Sequence, residues 1–301
     1  MQIASNGISL EVDSYDSTDP AAPVKAPIVL IMGLGMPRTA WPLPLIDLLR
    51  ATGHRVIRFD NRDSGQSSRL EQWGRPKVGL MMLRFAMHLP VRASYALSDM
   101  VSDTVGMLDA LGIARAHIVG ASMGGMIGQL MAIEHPQRVA SFTCIMSSSG
   151  ARSLPQPSLT VRRALMSRPS GPGREALIDH YVKLIHIIGS PGYRPDQQQL
   201  RQRIVEHLAP HYFPLGTARQ LMAIAADGDR SARLAKLHVP MSIIHGRNDP
   251  LIAVAAAYDL ARKVPHAKVK VIDGMGHDMP PALLGTLARS ISAQVALHGV
   301  A

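Results

Sequence analysis

Three residues far apart in the chain carry the functional groups of nucleophilic catalysis. Ser122 stands in Gly120-Ala121-Ser122-Met123-Gly124, within the stretch VGASMGGMIGQL. A serine hydroxyl is a weak nucleophile until a nearby base takes its proton. Small residues two positions to either side let a strand and a helix meet at a sharp turn that lifts the hydroxyl above a sheet. In sites built this way the partners follow in the order serine, acid, histidine. Of the 13 histidines, only His266, His277 and His298 come after a suitable acid. His266 precedes the apolar run KVKVID, at the wrong end of a strand, and His298 lies in the tail. His277, in GMGHDMP, comes just past that run, on the side where ligands bind in parallel sheets. Asp249 follows the apolar run of MSIIHGRNDPLI, whereas the corresponding loop one strand earlier, SSSGAR, has no carboxylate. The expected roles are Ser122 as nucleophile, His277 as base, and Asp249 as the group that fixes the histidine tautomer and stabilises the imidazolium.

Acyl transfer also needs two N–H donors for the developing oxyanion, and one such donor is worth about 3–4 kcal/mol. Met123 follows the serine at a helix start, where partial positive charge gathers. The second donor is expected in the Gly-containing loop IMGLGM, at the Leu34 N–H. Trp41, shortly after that loop, is placed as a substrate-pocket residue.

These residues need a sheet to position them. APIVLIMG, RVIRFD, AHIVGAS, FTCIMSS, MSIIHG and KVKVID are near-uniformly apolar, as strands buried on both faces are. Asn6-Gly7 between two short runs signals a hairpin. Helical patterns lie between the strands: LSDMVSDTVGMLDALG, with Ser98 as expected N-cap and Gly112 as C-cap, and GGMIGQLMAIEHP, which stops at Pro136. The alternation gives an α/β fold with a doubly wound, mostly parallel sheet. From about Gly150 the strand pattern stops. REALIDHYVKLIHIIG places Leu177, Ile178, Tyr181, Ile185 and Ile188 on one helical face. The expected organisation is a core of residues 1–149 and 238–301 with a helical cap insertion at 150–237.

Composition narrows the remaining classes. The net charge of +10 is spread along the chain, with no interleaving of Lys/Arg and aromatic residues, so no nucleic-acid partner is expected. The densest basic group, VRRALMSRPSGPGR, is read as a solvated helix face. The greasy run from Val78 to Leu89 is too short and too interrupted to span a bilayer; it is expected beneath the cap. Cys144 is the only cysteine, which fits a reducing, cytoplasmic setting. The first twenty residues carry four acids and no apolar stretch with a basic flank, so no signal peptide is expected. His207 and His211 are four apart but Pro210 breaks the helix between them, and His180 and His186 lie on different faces. No metal site, P-loop or dinucleotide fingerprint is read, so no cofactor is expected.

With these residues in place, the chain resembles the α/β-hydrolase superfamily over nearly its whole length. The matching motifs are MGLG, FDNRDSGQSS, GASMGG, GRNDP and GMGH, in that order. Ser122, Asp249 and His277 fall on the superfamily's triad positions, and Leu34 and Met123 on its oxyanion positions. Many members carry His-Gly in the oxyanion loop where this chain has Met32-Gly33, so support for that loop must come from elsewhere. The Met-Gly form, with FDNRDSGQSS and Trp41, looks like the branch containing aclacinomycin methylesterase, which hydrolyses methyl esters of bulky polyketides. Asp60, Arg62 and Asp63 belong to the same pattern and are read as structural. The expected activity is hydrolysis of a carboxylic ester of a bulky apolar small molecule. The same triad also serves C–C bond hydrolysis, lactone opening or perhydrolysis, and such a scaffold can serve as a ligand receptor. Homo-oligomer formation is compatible with the sequence.

Overall fold

The computed structural model describes residues 1–19 and 25–298. Its centre is an eight-stranded sheet of β1 (Gln2–Ser5), β2 (Ile8–Tyr15), β3 (Ile28–Ile31), β4 (Val56–Phe59), β5 (Ala116–Ala121), β6 (Val139–Ile145), β7 (Met241–Gly246) and β8 (Lys268–Ile272). The spatial order is β1-β2-β4-β3-β5-β6-β7-β8. β1 and β2 pair antiparallel, as do β2 and β4; all other pairs are parallel. Asn6 and Gly7 both take positive φ, 48° and 75°, as a two-residue hairpin turn requires. β3 to β7 are buried at every position, which is why their sequences are predominantly apolar on both faces rather than alternating.

Eleven helices follow the described chain: α1 (Leu43–Arg50), α2 (Val78–Ala86), α3 (Leu97–Ala110), α4 (Met123–Glu134), α5 (Leu159–Met166), α6 (Arg174–Ile188), α7 (Gln197–His207), α8 (Pro214–Asp227), α9 (Ser231–Leu234), α10 (Ala255–Lys263) and α11 (Leu284–Leu297). Side chains of α3, α4 and α10 fill one face of the sheet, and those of α1 and α11 fill the other. Between β6 and β7 the described chain is helical, α5 to α9, with no strand. Within it Ile178, Tyr181 and Val182 of α6 pack with Leu200 and Ile204 of α7 in a small core of their own. No helix among the described residues is long and apolar enough to cross a membrane.

Two expectations are corrected. α3 begins at Leu97, with Ala96 rather than Ser98 at the N-cap. Asp99 caps it instead, its carboxylate accepting the Ala96 N–H at 2.8 Å; an acid at the third helical position serves both that orphan donor and the helix dipole. The run from Val78 to Leu89 does not lie beneath other elements. Met81 alone on α2 is buried, while Leu80, Met82, Leu83 and Phe85, with Met87 and Leu89 beyond it, are exposed.

Candidate active site

Ser122 occupies the junction between β5 and α4, with φ 54° and ψ −117°. Such a conformation is costly for a residue with a side chain and persists where the surroundings fix it. Its neighbours do so by close approach. A Cβ on Gly120 would stand 2.2 Å from Gly124 O, and one on Gly124 would stand 2.0 Å from Ile31 O. Only glycine lets the strand, the helix start and β3 meet at these distances. The Ser122 carbonyl accepts from Gly125 N and from the Ser147 hydroxyl at 2.9 and 2.8 Å, which pins the turn from behind.

The structure brings the three separated residues together. His277 Nε2 lies 3.1 Å from Ser122 Oγ, and His277 Nδ1 lies 2.7 Å from Asp249 Oδ2. Asp249 follows β7 and His277 follows β8, so both reach the site from the carboxyl ends of adjacent parallel strands. Asp249 is held by its own loop: Oδ1 accepts the N–H groups of Leu251 and Ile252 at 2.9 and 2.8 Å. With the carboxylate accepting, Nδ1 carries the proton and Nε2 is free to take one from the serine.

Gly33-Leu34-Gly35-Met36 forms a β-turn closed by Met36 N–H to Gly33 O at 3.2 Å, with Gly35 at φ 66°; that third position demands glycine in a type II turn. Gly33 packs against the serine, for a Cβ there would lie 3.1 Å from Ser122 Cβ. The Leu34 and Met123 N–H groups therefore both neighbour the serine, and neither donates to a protein acceptor among the described residues. Trp41 is fully buried, in a core cluster with Leu30, Leu45 and Leu49.

Of the residues that support the site, Gln220 carried no sequence signal, whereas Asp60, Asn61, Arg62 and Asp63 stand in the FDNRDSGQSS motif. Gln220 of α8 accepts the Gly35 N–H at 2.7 Å, while Asn61 donates to Met32 O at 3.0 Å. These two supply the loop support that Met32 cannot. Asp60 accepts from the Arg38 backbone and, at 2.7 Å, from its guanidinium. Arg62 forks onto Asp103 with two 2.6 Å bonds, and Asp63 receives Arg219 of α8 at 2.7 and 2.8 Å. The DNRD segment thus works through buried ion pairs, away from the triad.

The loop bearing His277 is fastened to the segment after α6. His277 N donates to Ile188 O at 2.8 Å, Gly276 N to Ser190 Oγ at 2.9 Å, and Gly192 N to Gly274 O at 3.0 Å. Ser190 in turn donates to Asp278. Burial holds the Asp278 carboxyl above the usual carboxylate range, although the Ser190 hydrogen bonds and the Arg203 charge oppose it. Behind Asp249, burial lowers His245, whose Nε2 lies 2.8 Å from Ile252 O. A neutral His245 donates there and fixes the loop that cradles Asp249. Cys144 is fully buried and its thiol is pushed up to about 11 by that burial, so it is not a competing nucleophile at neutral pH.

A strained serine between a central parallel strand and a helix, with an acid and a histidine from later strand ends, defines a class of protein. The chain belongs to the α/β-hydrolase fold family, whose model matches residues 26–280. Its relatives include rhodomycin D methylesterase DauP of Streptomyces sp. (strain C5), 28% identical over 90% of this chain and 91% of that protein. The rhodomycin D methylesterase DnrP of Streptomyces peucetius is 27% identical, with the same coverage of 90% and 91%. Among solved structures, the enol-lactonase from Burkholderia xenovorans LB400 has a TM-score of 0.71 at 21% identity, covering 98% of this chain and 100% of that one; that likeness concerns the fold.

Proposed function

We propose that the protein is a cofactor-free serine hydrolase that cleaves a carboxylic ester, a methyl ester above all, of a bulky apolar small molecule. Ser122 Oγ attacks the ester carbonyl as His277 Nε2 takes its proton. The Leu34 and Met123 N–H groups hold the oxyanion, and Asp249 stabilises the imidazolium. His277 then protonates the departing alcohol, leaving an acyl group on Ser122. Water, deprotonated by His277, attacks that acyl group and releases the carboxylic acid, which restores the serine. α5 to α9, within residues 150–237, act as a cap over the core of residues 1–149 and 238–301. The lone buried cysteine supports a cytoplasmic setting.

The observation that carries this reading is the continuous chain of hydrogen bonds from Asp249 through His277 to Ser122, 2.7 and 3.1 Å. The methylesterase relatives support the choice of ester. The test is the intact mass after treatment with a fluorophosphonate, followed by turnover of a panel of methyl esters of polycyclic aromatic acids. One adduct on the wild type and none on Ser122→Ala is expected, with turnover lost in that variant by roughly a million-fold. Ester turnover unchanged in Ser122→Ala rejects the mechanism. Inert esters beside a cleaved diketone or lactone keep the triad and reject the ester.

A further inference from the structure

α2 is an apolar helix with almost no covering. Leu80, Met82, Leu83 and Phe85, then Met87 and Leu89, are between 42% and 59% exposed. Monomeric proteins rarely present such a contiguous apolar set to water without a use for it. A second apolar set lies on α5, where Leu159, Leu165 and Met166 are exposed. Arg152, from the loop between β6 and α5, lies against the first set: its guanidinium is over the Phe85 ring at 5.8 Å and donates to His88 Nδ1.

The two stretches of chain that carry these helices hold charge of one sign, with acids at their ends, such as Glu71 and Glu175. Residues 72–98 contain Arg75, Lys77, Arg84 and Arg92 and no carboxylate. Residues 135–174 contain Arg138, Arg152, Arg162, Arg163, Arg168 and Arg174 and again no carboxylate. Arg75, Lys77, Arg92, Arg152, Arg162, Arg163 and Arg168 are all exposed. Exposed apolar side chains rimmed by cations, with acids excluded from both segments, match the interface of an anionic bilayer, where acyl chains take the apolar groups and headgroups take the charge. A protein partner of ordinary composition does not require the exclusion of every acid. A nucleic acid does not require the exposed aliphatic side chains Leu80, Met82, Leu83, Met87 and Leu89 of the α2 segment.

We propose that the exposed face of α2 is a docking surface for an anionic lipid membrane, on which the protein sits peripherally through Leu80, Leu83, Phe85 and Met87, with neighbouring basic side chains such as Arg152 on the headgroups. The proposal is independent of the reaction assigned to Ser122. The molecule carries its own reporter: Trp73, just before α2, is 44% exposed, whereas Trp41 is fully buried.

The experiment is vesicle co-sedimentation and tryptophan emission on the full chain, with phosphatidylglycerol-rich vesicles and with pure phosphatidylcholine vesicles, at low and high salt. Binding with a blue shift of emission is expected on the anionic vesicles at low salt, and weaker binding on the neutral ones. Leu83→Glu with Phe85→Asp is expected to lower partition by roughly tenfold or more through lost apolar transfer. Arg84→Gln with Arg92→Gln is expected to remove the preference for phosphatidylglycerol. Both pairs lie on the surface, so unchanged thermal unfolding serves as the folding control. Three outcomes overturn the proposal: no binding to either vesicle; binding insensitive to Leu83→Glu with Phe85→Asp, which leaves a general attraction to polyanions such as nucleic acid; or a wild-type dimer, dispersed by that same pair, that ignores vesicles.

Discussion

Gln220, from α8, bridges two loops of the core: its Oε1 accepts the Gly35 N–H and its Nε2 donates to the Arg62 carbonyl, both at 2.7 Å. The residue is fully buried, and this amide orientation is the one that satisfies both partners. The turn that offers the Leu34 N–H is therefore held by a helix outside the sheet. Gln220→Leu leaves two buried backbone groups unpaired, at about 1–3 kcal/mol each. The expected kinetic result is a fall in kcat of roughly tenfold or more with KM little changed, because the Leu34 N–H, in the proposed mechanism, is used chiefly in the transition state. Gln220→Glu retains the acceptor but faces the Arg62 carbonyl with a second acceptor, so it is expected to fall between wild type and Gln220→Leu. Steady-state kinetics decide this: a folded Gln220→Leu with wild-type kcat removes Gln220 from loop positioning.

In the proposed mechanism Asp249 acts through the histidine. Asp249→Asn presents an amide N–H or a weaker acceptor to His277 Nδ1 and favours the wrong tautomer. A loss of kcat of roughly ten-thousand-fold is expected, with the fold retained. Fluorophosphonate labelling of this variant should slow in parallel; fast labelling beside lost ester turnover would show that Asp249 serves a later step than serine activation.

Arg219 and Asp63 form a bidentate pair with almost no exposure, 1% and 0% at the side chains. Arg219→Met removes one charge and strands the other, a change that costs about 3–5 kcal/mol when both were buried. Urea denaturation should show the midpoint moving down at an unchanged slope. Asp63→Asn with Arg219→Met together should recover part of that loss, since neither residue then leaves a buried charge. A double variant no more stable than Arg219→Met alone contradicts this account.

Acid sensitivity should come partly from His117. Burial, with His54 at 5.5 Å between ring centroids, pushes His117 down to about 4. Between about pH 6.5 and 4 the unfolded chain takes up a proton here that the folded chain refuses. The stabilising contribution is full above that window and is lost as pH falls through it, by on the order of 3 kcal/mol. His117→Gln should flatten the fall in unfolding free energy over the same window, and an unaltered slope would assign the acid sensitivity to other groups.

Much of this site is written in the sequence because its parts are local. The elbow needs glycines at 120 and 124 because a Cβ at either would stand within 2.2 Å of a backbone oxygen, and Asp249 and His277 follow apolar runs that pair as parallel strands. Gln220 and Ser190 were not legible as supporting groups, for a physical reason. Gln220 meets Gly35 across 185 positions and Ser190 meets Asp278 across 88, and a buried glutamine or serine has no periodicity that marks its partner. The sequence misled at α2: apolar character gives the preference for burial but not which surface supplies it, and this helix stayed outside.

The bonds that tie Ile188, Ser190 and Gly192 to the loop around His277 also bear on how the molecule assembles. No residue of α5 to α9 takes part in strand pairing, so the whole sheet can form before that segment arrives. Until it does, the histidine loop is unfastened and the Leu34 turn lacks Gln220. A chain diluted out of denaturant should regain its β-sheet ellipticity first and its turnover only after a delay, the delay being the time the helices need to dock.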